Sequence, residues 1–283
     1  MIKALLEAQN PDGGWGATPG ARSWTEPTAW ALIALQNTSA ASSALARGVS
    51  WLRQGQLISG GWQASPGVGD PCWVVGLVSV LPAQLLGESE HSRALDAVRS
   101  GMEALPQWTD RLRQWMLGYK PVRGPIVRGW PWVPGTAAWL IPTVISALAL
   151  RKQNVISAAD RLLLEHSLNY LRARQCQDGG WNHGASRAVG YEGASYPETT
   201  GLALLALRGI SGETLDRGLA AADRLARQCQ TMEGTAWLSL ALHAHGRSFD
   251  CAQPARSVSD LRELAIAHIS ERCRAGEELL WRT

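Results

Sequence analysis

The sequence is poor in several features that would place it in a common class. Its formal net charge is only +3 and its Lys and Arg residues are scattered, so there is no basic stripe of the kind that binds nucleic acid. No apolar run is long enough to span a membrane, and the first fifteen residues lack an apolar segment of signal-peptide length. The five cysteines lie far apart with no Cys-x-x-Cys pair, which favours reduced thiols in a cytoplasmic protein over a disulfide framework.

Aromatic residues other than tryptophan are also scarce. The 283 residues include one Phe and four Tyr but fourteen Trp, an excess that predicts a structural cause because the indole is large and flat. Hydrophobic residues make up 46% of the chain, which is enough for a sizeable core. We find no Pro/Ser-rich linker, so the sequence predicts one domain over 1–283.

A short motif recurs along the chain and explains part of the tryptophan excess. Its copies read QNPDGGW ending at Trp15, QLISGGW ending at Trp62 and QCQDGGW ending at Trp181. The segment RGWPW at 128–132 looks like a fourth copy that has lost its Gln. Since repeats of fixed form indicate stacked structural units, the motif predicts a repeat architecture.

A second signature follows each copy. It is an almost uninterrupted apolar stretch, which begins at Glu26, Asp70, Ile141, Pro197 and, without a preceding motif, Glu233. A helix that is apolar on all sides is buried on all sides. The stretch before each motif is instead amphipathic, and we expect the Gly pair to end it as a left-handed cap.

These pairs predict an all-α fold, an α/α toroid with two concentric layers of helices. The outer helices are expected near 2–9, 42–54, 90–117 with a break at Pro106, 156–175 and 213–229. The inner helices are expected near 27–36, 71–86, 137–151, 197–209 and 233–246. A last helix near 256–275 has no inner partner in this scheme, which gives five pairs plus a C-terminal helix.

The pattern Gln-x-x-x-Gly-x-Trp followed by an apolar helix resembles the QW repeat of squalene-hopene and oxidosqualene cyclases. It is less similar to the repeats of protein prenyltransferase β subunits. The resemblance implies an apolar central cavity, an isoprenoid ligand and Gln and Trp residues that tie the outer helices together. Those cyclases have two such domains and this chain has one, so we expect an open toroid, or one completed by a second copy or subunit, with contact to a membrane surface as a further expectation.

The resemblance also points to a candidate proton donor. Class II terpene cyclases carry Asp-x-Asp-Asp at the start of one inner helix, and alignment on the following Thr-Ala places its central acid on Glu26. The matching stretch, Trp24-Thr25-Glu26-Pro27, lacks the flanking carboxylates. The same alignment places Asp70, Glu198 and Glu233 at equivalent positions, and we take Glu26 and Asp70 as the catalytic candidates. Plain capping of helix N-termini is the alternative interpretation of all four.

Aromatic side chains at the starts of the inner helices are the candidates for substrate binding. Trp24, Trp73, Trp139 and Tyr196, together with Glu198, would line the central cavity, where aromatic faces stabilise a cation by about 0.5–2 kcal/mol each. The alternative is that these rings only fill space between the layers.

Asp70 and Cys72 support a different hypothesis. Zinc-dependent prenyltransferases carry Asp-x-Cys at an inner-helix start and take a His from a later repeat, and His183 is the nearest substitute here. Zn²⁺ accepts such ligands with an open fourth position. Three functions therefore stay open: an isoprenoid cyclase without a cofactor, a zinc-dependent prenyltransferase, and a non-catalytic protein that binds an apolar ligand or a protein partner.

Overall fold

The computed structural model describes residues 1–103, 116, 118, 127–184, 193–247 and 260–281. In chain order the α-helices of these residues are α1 (Ile2–Glu7), α2 (Thr25–Leu35), α3 (Ser42–Gly55), α4 (Val74–Val78), α5 (Ala83–Leu86), α6 (Glu88–Ser100), α7 (Leu140–Arg151), α8 (Ala158–Arg174), α9 (Pro197–Ala206), α10 (Glu213–Ala226), α11 (Met232–Ala244) and α12 (Leu261–Arg274). A short 3₁₀ turn, Ser39–Ala41, precedes α3. The only β pairing within these ranges consists of isolated bridges. The all-α fold is therefore confirmed.

The helices form two layers, as the toroid prediction requires. Around the inner ring, α2 contacts α4, α4 contacts α7, α7 contacts α9, α9 contacts α11, α11 contacts α12, and α12 returns to α2. The outer helices α1, α3, α6, α8 and α10 pack against this ring. The inner helices are apolar on all sides because they are enclosed on all sides: in α2, every residue except Glu26 is buried.

The repeated motif joins each outer helix to its neighbours. The indole N–H groups of Trp15, Trp62 and Trp181 donate to carbonyls of the preceding outer helix, those of Leu5, Leu52 and Leu171, at 2.7–2.8 Å. Each motif Gln donates to the next outer helix, as Gln9 does to the carbonyl of Ala44 at 2.8 Å. Trp130 donates to Val98 at 2.7 Å in the same way, so the copy without a Gln keeps the tryptophan contact.

The glycines of the motif do not end the outer helices, contrary to our expectation. Helix α1 ends at Glu7 and Gly13 lies in the turn beyond it, with φ of 94°. A Cβ at Gly13 would lie 2.7 Å from the carbonyl oxygen of Arg47 in α3. The glycine is therefore required both by its left-handed backbone and by the close approach of the next outer helix.

Three further expectations about helices need correction. The inner helix expected at 71–86 is divided into α4 and α5, since Pro82 cannot continue α4 and serves as the N-cap of α5. The helix expected at 90–117 is observed as α6, and most of its second half, with the break at Pro106, lies outside the described residues. The last helix, α12, is not unpartnered: it is a sixth inner helix, and within the described residues it closes the ring.

No helix of the described residues is both long enough and apolar enough to cross a membrane.

Candidate functional site

The backbone fixes which residues of different units are equivalent. The N–H groups of Trp24, Cys72, Trp139 and Tyr196 donate to the carbonyls of the four motif tryptophans at 2.9–3.0 Å. Each of these four residues lies at the entrance to an inner helix. The residues two places further along, which occupy equivalent positions in the first turn, are Glu26, Val74, Ile141 and Glu198.

Asp70 does not belong to this set of equivalent first-turn residues, so the predicted equivalence of Asp70 and Glu26 is wrong. It lies exposed, two residues before Cys72, in the turn that precedes α4, whereas Glu26 lies two residues after Trp24. The alignment failed here because Gly76 stands where α2, α7 and α9 carry Thr28, Thr143 and Thr200. These threonine hydroxyls accept the N–H of the motif tryptophans.

Carboxylates from three inner helices lie at one end of the ring. Arg262, in the first turn of α12, forms a bidentate ion pair with Glu233 of α11, with N–O distances of 3.0 and 2.6 Å. The same guanidinium lies 3.9 Å from the carboxylate of Glu26. Glu198 accepts a hydrogen bond at 2.9 Å from the hydroxyl of Thr231, the N-cap of α11. We call Glu26, Glu233 and Arg262 the acidic cluster.

Burial governs the protonation of this cluster. It raises the pKa of Glu26 above its ordinary value, and the positive charge of Arg262 acts in the opposite direction. The same two influences act on the pKa of Glu233. Because Arg262 is engaged with Glu233 at a much shorter distance, Glu26 is the carboxylate of the cluster that is less firmly held as an anion.

Two tryptophans lie one helical turn below the cluster. Trp237 donates its indole N–H to Glu233 at 3.3 Å. Trp30 stands in the same relation to Glu26, four residues later in its helix, and the two rings meet edge to face with centroids 5.7 Å apart. The buried N–H of Trp30 faces Glu26 and lowers the pKa of that carboxyl as a donor, although the geometry between them falls outside that of an ordinary hydrogen bond.

The four predicted substrate-binding aromatics lie at the inner-helix entrances but are only partly enclosed. Trp24 is 41% exposed and Tyr196 is 48% exposed. Trp139 is half-buried, and Trp73 is half-buried with its ring edge to face against Trp132 at 4.9 Å. The structure brings Glu26 to the acidic cluster and places these aromatics around the same end of the ring.

The alternative zinc ligands are not assembled. Asp70, Cys72 and His183 are all described, and no group of three or more His, Cys, Asp or Glu side chains in the described ranges is arranged to hold a metal ion. The His183 ring instead lies 5.5 Å from that of Tyr196. The residues present therefore do not fit a zinc site, and we derive no chemistry from one.

Sequence reasoning missed Arg262, Trp30 and Trp237. The two tryptophans had a readable signal, because Glu26-Pro-Thr-Ala-Trp30 and Glu233-Gly-Thr-Ala-Trp237 share the spacing of Glu and Trp. Arg262 follows the N-cap Asp260 by two residues, as Glu233 follows Thr231. The equivalence of Arg262 to Glu233 was hidden in the sequence because no motif tryptophan precedes α12.

The fold has known counterparts. The type II terpene cyclase MstE from Scytonema, in a variant bound to geranylgeranyl dihydroxybenzoate, superposes with a TM-score of 0.54 at 17% identity, over 98% of this chain and 76% of that one. Its unliganded form gives 0.53 at 18% identity, over 96% and 77%. At such low identity these likenesses show the terpene-cyclase fold.

Sequence similarity is confined to a short segment. A drimenyl diphosphate synthase from Streptantibioticus cattleyicolor is 40% identical over 67 residues, which are 24% of this chain and 13% of that protein. The chain matches no protein-family model.

Proposed function

We propose that this protein binds an isoprenoid at the end of the ring that holds the acidic cluster, and cyclises it with Glu26 as the proton donor. The observation that carries the proposal is the setting of Glu26. Glu26 is half-buried, while the other residues of α2 are fully buried, and this partial burial raises its pKa. It lies one helical turn from the indole of Trp30.

The fold and the relatives support an isoprenoid as the ligand. MstE carries geranylgeranyl dihydroxybenzoate as its substrate in the same fold, and the drimenyl diphosphate synthase shares a short segment of sequence. Both names describe prenyl-derived compounds, and Trp24, two residues before Glu26 and 41% exposed, offers an apolar, electron-rich surface to such a chain.

The chemistry required of Glu26 is proton donation to an alkene carbon. The new C–H bond leaves a cation on the neighbouring carbon, which the next double bond attacks to close a ring. The exposed indole of Trp24, two residues before Glu26, would stabilise the cation by about 0.5–2 kcal/mol. Loss of a proton from the cyclised cation gives the neutral product, and transfer of that proton to the Glu26 carboxylate would restore the acid.

A second candidate is binding without turnover, and one distance favours it. Arg262 lies 3.9 Å from Glu26, and a cation at this range favours the carboxylate over the acid. The flanking carboxylates of Asp-x-Asp-Asp are also missing from the matching stretch. In this case the ring end would hold an apolar ligand and the cluster would only cap the helices.

Glu26→Gln separates the two candidates, because it keeps the shape of the side chain and removes the acidic proton. The purified protein is incubated with squalene and with prenyl diphosphates of increasing length, and products are identified by mass spectrometry. Ligand binding to each variant is measured in parallel. We expect cyclised product from the wild type, none from Glu26→Gln, and equal ligand binding by both.

Glu213→Gln is the matched control, since Glu213 lies exposed in the first turn of the outer helix α10. It should leave turnover unchanged. Cyclised product from Glu26→Gln would remove Glu26 from the catalytic role. Binding without product in the wild type would favour the second candidate, and the absence of both would contradict the proposal as a whole.

A further inference from the structure

A cavity of about 180 Å³ lies between the second and third helix pairs. Its wall includes Cys72 and Trp73, which precede α4. It also includes Ala97 of α6 and Gly101, the C-cap of that helix. Trp130 and Ser146 of the third pair complete this part of the wall. None of the described residues that line it is charged. We call this cavity the seam pocket, because it occupies the seam where the loop of one motif meets the next outer helix.

The corresponding seam of the first pair is filled. The carbonyls of Leu52 in α3 and Val98 in α6 accept the indole N–H of a motif tryptophan. The residues just before them, Trp51 and Ala97, therefore occupy equivalent positions. A Cβ placed on Gly14 would lie 3.1 Å from the Trp51 ring, whereas one on Gly61, the equivalent residue of the second motif, would have no atom of α6 within 4 Å.

The other seams are closed as well. In the third, Tyr170 of α8 occupies the position of Ala97 and donates to the carbonyl of Ala138 at 3.0 Å. In the fourth, Asp178 accepts from the Ser195 hydroxyl at 2.8 Å and pairs with Arg224 at 3.4 Å. Each of these seams is therefore occupied by an aromatic ring or by a polar bridge.

The second seam has lost both kinds of filling at once. The Asp–Ser pair of the first motif, Asp12 and Ser23, joined at 2.7 Å, is replaced by Ser59 and Pro71, which also line the pocket. The aromatic residue that enters the inner helix in the first, third and fourth units is replaced by Cys72. Each of these replacements either puts a smaller side chain in the seam or removes a polar group from it.

We propose that the seam pocket is a binding site for one compact, uncharged hydrocarbon group of about the size of a benzene ring. The pocket is open to solvent on one side, and its volume of about 180 Å³ leaves room for such a group, since an apolar cavity of about 150 Å³ can hold benzene. The indole surfaces of Trp73 and Trp130 favour an aromatic or branched hydrocarbon over a polar one. The inference does not rest on the proposed cyclase function.

Cys72 gives a local reporter of occupancy. Toluene is the probe, and the rate of Cys72 alkylation by iodoacetamide is followed by peptide mass spectrometry. The reaction is run at alkaline pH because burial raises the pKa of the Cys72 thiol. Toluene at about ten times its Kd should slow this alkylation about tenfold, since the free fraction of the site falls as 1/(1 + [L]/Kd). Cys229, which does not line the pocket, should react at an unchanged rate.

Ala97→Trp supplies the bulk that Trp51 provides in the first seam and should abolish the effect of toluene, whereas Ala97→Ser, which adds a single oxygen atom, should retain it. Circular dichroism verifies the fold of both, and Ala97→Leu replaces the larger variant if that one does not fold. Protection of Cys72 that survives in the filled variant would overturn the proposal. So would an alkylation rate in the folded wild type that toluene does not change.

Discussion

The two ends of the inner ring use charged residues in opposite ways. At the end where the inner helices finish, cations bind backbone carbonyls of neighbouring segments. Arg272 donates to the carbonyls of Ala34 and Gln36 at 2.7 Å, and Arg151 donates to those of Ala206 and Arg208 at 2.6 Å. These bonds satisfy the free carbonyls that every helix leaves at its C-terminus.

At the end where the inner helices begin, the cation Arg262 meets carboxylates of two other inner helices instead of backbone carbonyls. Arg262 pairs with Glu233 and lies further from Glu26, and the N–H of Trp30 faces the Glu26 carboxylate. At the first end, the cations are bound to fixed backbone carbonyls, and this arrangement is suited to holding the ring together. The second end retains Glu26, a carboxyl whose pKa is raised by burial, and so keeps a group that can exchange a proton with a ligand.

The largest effect tests the scaffold that both ends share. Trp181 is fully buried between the layers and donates to Leu171 at 2.8 Å. Trp181→Ala should lower the free energy of unfolding by about 3–5 kcal/mol, as expected for truncation of a buried Trp. Urea unfolding followed by circular dichroism measures it. Unchanged stability with lost ligand binding would assign Trp181 to the site and not to the scaffold.

The next effect tests the end where the inner helices finish. Arg272→Leu removes two hydrogen bonds to carbonyls at the end of α2 and leaves Glu277 without its ion pair. Because buried acceptors lose a charged donor, we expect a loss of about 2–3 kcal/mol in unfolding free energy, with ligand binding unchanged in the folded protein.

Arg227→Leu is the control, since this exposed side chain donates to the carbonyl of Asp223 within its own helix and not to a carbonyl across the ring. Its stability should lie within about 0.5 kcal/mol of the wild type. Equal effects of the two substitutions would show that the cations of this end are not structural, and the contrast between the ends would then fail.

The sequence predicted the layers better than it predicted the site. The repeated motif and the apolar stretches gave the ring and most inner helices within a few residues, because both depend on local pattern. The acidic cluster depends on contacts across the ring, such as that of Arg262 with Glu26, 236 positions apart, which no local pattern reports. Asp70 was misplaced because the threonine that marks the other inner helices is replaced by Gly76.

The smallest effect tests the end where the inner helices begin. Burial raises the pKa of Glu26 in the folded protein, so folding favours its protonated form. The contribution of Glu26 to stability is therefore fully present below the unfolded pKa of about 4.5 and is lost as the pH rises through the folded pKa. Glu26→Gln does not titrate, so the wild type should lose stability relative to the variant across this window, by at most about 1 kcal/mol, the size of a typical first-turn contribution. Unfolding of both proteins in urea between pH 4 and pH 8, about the range in which a raised carboxyl pKa falls, measures the difference. A wild type that gains stability relative to Glu26→Gln as the pH rises would show that Arg262 and the helix N-terminus hold Glu26 as an anion, and the candidate proton donor would be an ordinary helix cap.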